Sequence, residues 1–169
     1  MTDGRLRARA FVGIAAFIGS ALAATACGSQ ATTLTVPPTT DPSLTLTTQH
    51  SPVGPILATG GGATLYDFAP DTPRHSACLN DGCTFQWPPL LVQGPVRVGP
   101  GVRAPLVGTL RRPNGAVQLS YGGHPLYTYA NDGTPGLVLG QAIDQDGGLW
   151  YVLDPAGKPV TTSFSVTPG

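Results

Sequence analysis

Apolar positions in most of this chain fall in short runs separated by Gly, Pro and Asn-Asp-Gly, beginning near Pro52. Short runs bounded by such turn residues are typical of β-strands. Gly (23) and Pro (18) are abundant, Glu is absent and Lys158 is the only lysine, so the usual residues of exposed helix faces are missing. We therefore predict an all-β fold: one small domain of antiparallel strands over residues 53–165, barrel- or sandwich-like.

The strongest pattern within this domain is an internal repeat. Residues 61–71 align without a gap on residues 122–132, and both segments contain Leu-Tyr-x-aromatic-Ala-x-Asp. A tryptophan follows each copy, at Trp87 and Trp150. A repeat of this kind predicts two related β units, about residues 57–90 and 119–153. The candidate binding residues are its motif positions, namely Tyr66, Phe68, Asp71, Trp87, Tyr127, Tyr129 and Asp132.

Each motif position has an expected place on its strand. A period of two puts Tyr66 and Phe68 on one face, which we expect to meet the core, and Leu65 and Asp67 on the other. Tyr127 and Tyr129 follow the same pattern. Burial of each ring contributes roughly 1.5–3 kcal/mol. The aspartate ending each copy has two alternative roles: it bonds backbone amides in a turn, or both aspartates and nearby tyrosine hydroxyls converge on a cation or ligand.

The N-terminus carries an export signal. Three arginines in the first nine residues precede an apolar run from Ala10 to Ala24, and small residues lead into Cys27. The run is shorter than the ~20 residues of a permanent membrane helix. The end of this segment resembles the lipobox of bacterial lipoproteins, which implies a signal peptide over residues 1–26 and a diacylglyceryl (palmitate-bearing) Cys27 as membrane anchor. Ordinary signal-peptidase cleavage, giving a secreted protein, is the alternative.

The segment after Cys27 is read as a spacer. Eight threonines, several prolines and one charge, Asp41, lie between Gly28 and Ser51. We expect a disordered tether over residues 27–52. Without residues 1–26 the chain has 6 basic and 8 acidic side chains (9 − 3 and 9 − 1). No nucleic-acid partner is expected from that balance.

Two cysteines remain for the domain, Cys78 and Cys83. An oxidising compartment predicts that they form a disulfide across the turn sequence Asn80-Asp81-Gly82. A redox-active pair, or a metal site that includes His75, is the alternative. His50, His75 and His124 show no metal-ligand spacing, and Asp144–Gly147 lacks the third oxygen ligand and the closing Glu of a calcium loop. We expect no metal and no cofactor.

Together these residues resemble a known family. The doubled Tyr-x-aromatic-x-x-Asp motif, the Cys…Cys…Trp-Pro-Pro-Leu segment ending at Leu90 and Gly-His-Pro-Leu-Tyr-x-Tyr at 123–129 are similar to the bacterial "secreted repeat" lipoproteins. The resemblance runs from about Leu57 to Val160. It implies a cell-envelope lipoprotein, of a type common in actinobacteria, with no agreed biochemical activity.

The sequence shows no nucleophile elbow, phosphate-binding loop or dinucleotide glycine pattern, and we do not expect an enzyme. We predict a non-catalytic binding or structural module of the cell envelope, held at the extracytoplasmic face of the membrane by its lipid, with an unidentified envelope ligand or protein as partner. The expected contact surface comprises the loop around Asp71, the Cys78–Cys83 loop and the turn at 131–133. The alternatives are a redox or metal protein using Cys78, Cys83, His75, His124 and the many tyrosines, and a glycan hydrolase.

Overall fold

The computed structural model of the chain describes residues 44–162. Within that range nine short strands are joined by loops, one α-helix and one 3-10 helix. The elements in chain order are β1 (Thr45–Ser51), β2 (Gly54–Thr59), β3 (Tyr66–Phe68), α1 (Asp81–Gln86), β4 (Arg97–Val98), a 3-10 turn (Ala104–Leu106), β5 (Val107–Arg111), β6 (Val117–Tyr121), β7 (His124–Pro125), β8 (Asp144–Gln145) and β9 (Gly148–Val152).

These strands form three three-stranded sheets, in the orders β2-β1-β4, β3-β9-β8 and β5-β6-β7. Their pairings are antiparallel except that β1 and β4 pair in parallel over two residues. The predicted all-β class is confirmed. Over residues 44–162 the sheets do not close into a barrel, because each is only three strands wide.

Strand β1 corrects the predicted tether. Leu44 and Leu46 are buried, and β1 pairs with β2 from Leu46 opposite Thr59 to Ser51 opposite Gly54. Alternating leucine and threonine gives one apolar face, and β-branched threonine suits a pleated strand. The interpretation of residues 27–52 as a tether is thus wrong for residues 44–52. Residues 27–43, including Cys27, and the predicted signal peptide lie outside the described residues.

A short helix replaces the turn predicted between the cysteines. The Asn80 side chain accepts a hydrogen bond from the Cys83 amide at 2.9 Å, which caps the N-terminus of α1. The helix ends before Pro88, which cannot continue it. Cys78 and Cys83 are bonded to each other, so the predicted disulfide is confirmed. The bond holds the start of α1 against the segment that precedes it.

The core has two parts. The aliphatic cluster comprises Leu44, Leu46, Leu57, Leu65, Leu90, Val92, Leu119, Tyr121, Leu126 and Leu153. The aromatic cluster comprises Ile56, Tyr66, Phe68, Cys78, Cys83, Trp87, Tyr127, Val138, Trp150 and Val152. The two motif segments run between these clusters, so both of their faces are buried. The expectation that only the aromatic face meets a core was therefore too narrow: Leu65 and Leu126 fill the aliphatic cluster from the opposite face.

Candidate functional site

The two copies of the motif meet at their tyrosines. The Tyr66 amide donates to the Tyr127 carbonyl at 2.9 Å, and the Tyr127 amide donates to the Tyr66 carbonyl at 3.0 Å. This antiparallel pair is unchanged when the two copies are exchanged. The exchange corresponds to a rotation about a twofold axis between the two tyrosines. The contacts around the pair follow the same exchange.

Each motif segment pairs with the tryptophan segment of the other copy. In the first copy, Phe68 lies opposite Trp150 in the β3–β9 pair. In the second copy, Tyr127 forms a bridge with Pro89, and the Thr128 amide donates to the Pro88 carbonyl at 2.9 Å. The copies are thus interlocked, and each one completes the core of its neighbour.

The motif aspartates receive the tyrosine hydroxyls across the same axis. Tyr66 Oη donates to Asp132 Oδ2 at 2.6 Å, and Tyr127 Oη donates to Asp71 Oδ2 at 2.7 Å. We call these two pairs the Tyr–Asp clasps. The Oδ1 atom of Asp71 accepts the Ala77 amide at 2.7 Å, and that of Asp132 accepts an amide in the equivalent loop at 2.9 Å. Each aspartate therefore bonds a loop amide, as in the first of the two proposed roles, and also accepts a tyrosine hydroxyl. The four side chains form two separate pairs, and a shared cation or ligand site stays a prediction.

Burial sets the protonation state of the clasps. It raises the pKa of Asp71 and Asp132, although the hydrogen bonds that each carboxylate accepts oppose the increase. Burial also raises the pKa of the Tyr66 and Tyr127 phenols, and the adjoining carboxylates raise it further. At neutral pH the proton therefore remains on each phenol, and the phenol donates to the carboxylate.

Four aromatic rings stack in the order Phe68, Trp150, Trp87, Tyr129. Their centroids are 4.2, 3.9 and 4.2 Å apart, and the two indole planes differ by 1°. Tyr66 meets Trp87 edge-on at 5.5 Å. Tyr127 meets Trp150 in the same way at 5.1 Å. This stack and its two flanking phenols form the centre of the aromatic cluster. Each contact that a residue of one copy makes in the stack has an equivalent contact made by the matching residue of the other copy.

Most of the predicted binding residues are consequently internal. Tyr66, Trp87 and Tyr127 are fully buried and Phe68 nearly so, while Asp71, Tyr129 and Asp132 are half-buried. The polar groups of the tyrosines and aspartates among them are engaged in the clasps or in local bonds, whereas Trp87 Nε1 has no hydrogen-bond partner among the described residues. A direct binding role for them stays a prediction, and the geometry gives them instead the work of holding the two copies together.

A buried arginine that the sequence did not single out extends one clasp. Arg112 is 5% exposed, and its guanidinium donates to Ser76 Oγ at 2.9 Å, to Gln118 Oε1 at 2.6 Å and to the Cys78 carbonyl at 2.6 Å. Ser76 Oγ lies 2.6 Å from the Tyr127 hydroxyl. Two hydroxyls thus link the buried cation to Asp71. The sequence Arg-Arg-Pro does not indicate that Arg112 is buried, because either of the two arginines could face solvent.

The residues proposed for a metal or redox site do not assemble. Cys78 and Cys83 are buried as a disulfide, and His75 is exposed. His124 Nδ1 lies 3.2 Å from Asp67 Oδ2, and this hydrogen bond raises the pKa of His124. In residues 44–162 no group of three His, Cys, Asp or Glu side chains is placed to hold a metal ion.

A groove of about 410 Å³ opens beside the first hairpin. Its walls come from the β1–β2 hairpin, the segment after Trp87 and one residue of the second copy, and its lining is Leu44, Thr45, Thr59, Gly60, Gly61, Ala63, Pro88, Pro89, Leu90 and Thr128. None of these side chains carries a charge. The groove could not be predicted from the sequence, because Leu44 and Thr45, which form part of one wall, lie in the segment that we interpreted as a tether.

Comparison with known proteins finds one family. A family model described as a secreted repeat of unknown function matches residues 108–154. The match covers the second copy of the motif, and the first copy lies outside it. No curated protein and no solved structure matches the chain. As for the membrane, none of the helices between residues 44 and 162 is long and apolar enough to span a bilayer.

Proposed function

We propose that the protein is a non-catalytic binding module of the cell envelope, which holds an uncharged ligand in its groove. The match of residues 108–154 to the secreted-repeat family model is consistent with this location. The family and the disulfide both support an extracytoplasmic location, since disulfides persist in oxidising compartments. The observation that carries the proposal is the groove itself, whose volume falls within the usual range for ligand sites.

The lining of the groove defines the class of ligand. Thr45, Thr59 and Thr128 offer hydroxyls that can donate or accept hydrogen bonds, and Leu, Pro and Ala side chains offer apolar contact. A charged ligand would lose hydration there without gaining an opposite charge. A neutral polysaccharide of the cell wall, which presents hydroxyls and C–H faces together, fits these walls.

The groove is also held in shape before any ligand arrives. The Gly60 amide donates to the Thr45 carbonyl at 2.8 Å, and the Thr59 amide donates to the Ala63 carbonyl at 2.9 Å. On the opposite wall Pro88 accepts the amide of Thr128 at 2.9 Å, which ties in the second copy. Walls that are already ordered need little further ordering when a ligand binds, and this favours binding.

A purely binding role is supported by the chemistry of the lining. Threonine hydroxyls need a neighbouring base to act as nucleophiles, and the lining contains no histidine, aspartate or cysteine. The aspartates of the motif, which could in principle act on glycans as a pair, accept tyrosine hydroxyls in separate clasps. The function proposed is therefore attachment rather than turnover.

Filling the groove tests the proposal. A side chain at Gly61 would meet only Thr59 Oγ1, at 3.8 Å, so Gly61→Leu should occupy the groove without strain. Gly133→Leu is the matched control, because it lies in an exposed turn with nothing within 4 Å. The measurement is co-sedimentation of the exported protein with protein-free cell walls, with release by neutral polysaccharide hydrolysed from those walls.

We expect wild type and Gly133→Leu to sediment with the walls and Gly61→Leu to remain in solution, with equal melting temperatures for all three. High salt should not release the bound protein, because the groove carries no charge. Equal sedimentation of the two leucine variants would place binding elsewhere. Failure of the wild type to bind would contradict the proposal as a whole.

A further inference from the structure

The aromatic cluster holds the side chains of this domain that are most easily oxidised. Residues 44–162 contain no methionine, and both cysteines are already joined as a disulfide. Tryptophan and tyrosine are then the side chains from which a one-electron oxidant most readily removes an electron. Both tryptophans and three of the tyrosines lie in one continuous set of ring contacts.

The contacts within this set are close enough for an electron to pass between rings. Trp87 and Trp150 overlap face to face at 3.9 Å, so a missing electron is shared by both indoles. Tyr129 stacks on Trp87 at 4.2 Å and is half-buried, whereas Phe68 at the other end of the stack is buried. Tyr129 is thus the point at which an oxidant in solution can reach the stack.

The fate of an oxidised ring depends on where its proton can go. Trp87 Nε1 is buried and has no hydrogen-bond partner among the described residues, so an oxidised Trp87 has no protein base for its N–H proton. Trp150 Nε1 donates to the Gln145 carbonyl, which is a weak base. The phenols of Tyr66 and Tyr127, which lie edge-on to these indoles, do have a base for their proton, because each phenol donates a hydrogen bond to a carboxylate.

From these arrangements we propose that the aromatic cluster is a one-electron relay, in which an oxidising equivalent enters at Tyr129, passes through the tryptophan pair and is held as a tyrosyl radical in a Tyr–Asp clasp. The oxidant is a one-electron acceptor such as an oxygen-derived radical. This activity depends neither on the groove nor on its ligand.

The step in the clasp balances in atoms and charge. The Trp87 radical cation takes one electron from the Tyr66 phenol and becomes neutral, and the phenol O–H bond breaks. Its proton moves along the existing hydrogen bond, in which the two oxygens are 2.6 Å apart, to Asp132 Oδ2, which leaves a neutral phenoxyl radical beside a neutral carboxylic acid. No charge is left unpaired in the core. Trp150, Tyr127 and Asp71 can carry out the equivalent step in the second clasp.

The experiment generates the oxidant with light. The exported protein, with its disulfide intact, is mixed with tris(bipyridine)ruthenium and a cobalt(III) electron acceptor, illuminated, frozen and studied by electron paramagnetic resonance. Protein containing ring-deuterated tyrosine identifies the radical. We expect a tyrosyl signal that narrows with deuterated tyrosine, and a persistent tryptophan radical in its place would overturn the proposal.

Substitutions locate the radical. Tyr66→Phe with Tyr127→Phe keeps both ring edges and removes both hydroxyls, so the long-lived tyrosyl signal should be lost. Tyr121→Phe is the control, since Tyr121 is equally buried but donates to the Pro155 carbonyl at 2.9 Å and belongs to the aliphatic cluster. An undiminished tyrosyl signal in the double variant, or equal loss in the control, would refute the relay.

The carboxylates give an independent readout. Asp132→Asn in a Tyr127→Phe background leaves Tyr66 as the one clasp phenol and removes its base, so radical formation at Tyr66 should slow and should then depend on the concentration of added buffer base. The single variant Tyr127→Phe supplies the comparison, and near-ultraviolet circular dichroism verifies that both proteins are folded. Rates that are equal and independent of buffer in the two proteins would exclude proton transfer to Asp132.

Discussion

One carboxylate in each copy of the motif fastens two parts of the molecule at once. Asp71 holds the Ala77 amide with one oxygen and the Tyr127 hydroxyl with the other. Asp132 makes the same pair of contacts with a loop of its own copy and with Tyr66. A side chain that is shorter, longer or uncharged cannot make both contacts equally well, which explains why the motif ends in aspartate.

Replacing these carboxylates should destabilise the fold. Asp71→Asn and Asp132→Asn each weaken hydrogen bonds to a charged acceptor, at a cost of about 1.5–3 kcal/mol in the free energy of unfolding. The larger loss is expected for Asp71→Asn, because the buried Arg112 then lacks the anion at the end of its hydroxyl chain. Urea denaturation measures both.

Asp144→Asn is the control for these variants, since Asp144 is exposed on β8. It should unfold at the wild-type urea concentration. Wild-type stability in the two clasp variants, together with lost binding to cell walls, would instead show that Asp71 and Asp132 contact the ligand.

His124 should make stability depend on pH. Its hydrogen bond with Asp67 raises the pKa of the imidazole, so the folded state holds a proton that the unfolded state releases near pH 6.5. This contribution is complete below about pH 6.5 and is lost as the pH rises through the higher folded value. The pKa values of Asp71 and Asp132 are also raised in the folded state. Their titration therefore also lowers the stability as the pH rises, but at lower pH than that of His124.

We therefore expect the melting temperature to fall as the pH rises above about 6.5, the value for histidine in the unfolded chain. The fall should be smaller in His124→Gln and unchanged in His75→Gln, because His75 is exposed and His124 is paired. A His124→Gln profile parallel to that of the wild type would show that another group causes the dependence.

At the scale of elements, the pairing of β3 with β9 is the informative contact. It joins the motif of the first copy to the tryptophan segment of the second, and the Tyr127–Pro89 bridge makes the converse connection. The repeat in the sequence predicts two similar units but not this exchange, because Phe68 could stack on either tryptophan without any change in the pattern. Only the three-dimensional arrangement decides which of the two it meets.

Other elements differ in how far the sequence could predict them. The aromatic positions and the disulfide followed from residue type and spacing, since large rings and paired cysteines have few other places in a small exported domain. Strand β1 was missed because its threonines also occur in disordered tethers. Helix α1 was missed because Asn80 favours a turn and a helix N-cap equally.

The interlocked pairing predicts that neither copy folds alone. Residues 44–100 and 101–162 expressed as separate chains should each lack near-ultraviolet circular dichroism, because each lacks the strand that covers its aromatic residues. Mixing them should restore the signal and the dispersed amide resonances of the intact protein. If either fragment alone gives a cooperative unfolding transition, the pairing across copies is not what holds the core together.

At the scale of the whole molecule, the position of the groove relates binding to attachment. Leu44 and Thr45 line the groove, and the chain runs back from Leu44 toward Cys27. If Cys27 carries a lipid, as the sequence predicts, a ligand in the groove is held next to the segment that leads to the membrane. The anchored protein would then link a wall polymer to the bilayer through a single domain.

Removing the anchor should change where the protein is found without changing how it binds. We expect wild type to partition into detergent with the membranes and Cys27→Ser to lose this partitioning, since diacylglyceryl attachment needs the thiol. Thr32→Ala, a few residues further on, is the control and should stay with the membranes. Since Cys27 precedes the folded region described from Leu44, the Cys27→Ser protein should still sediment with cell walls through its groove. Wild type that is recovered entirely from the culture medium would instead identify an unlipidated, secreted protein.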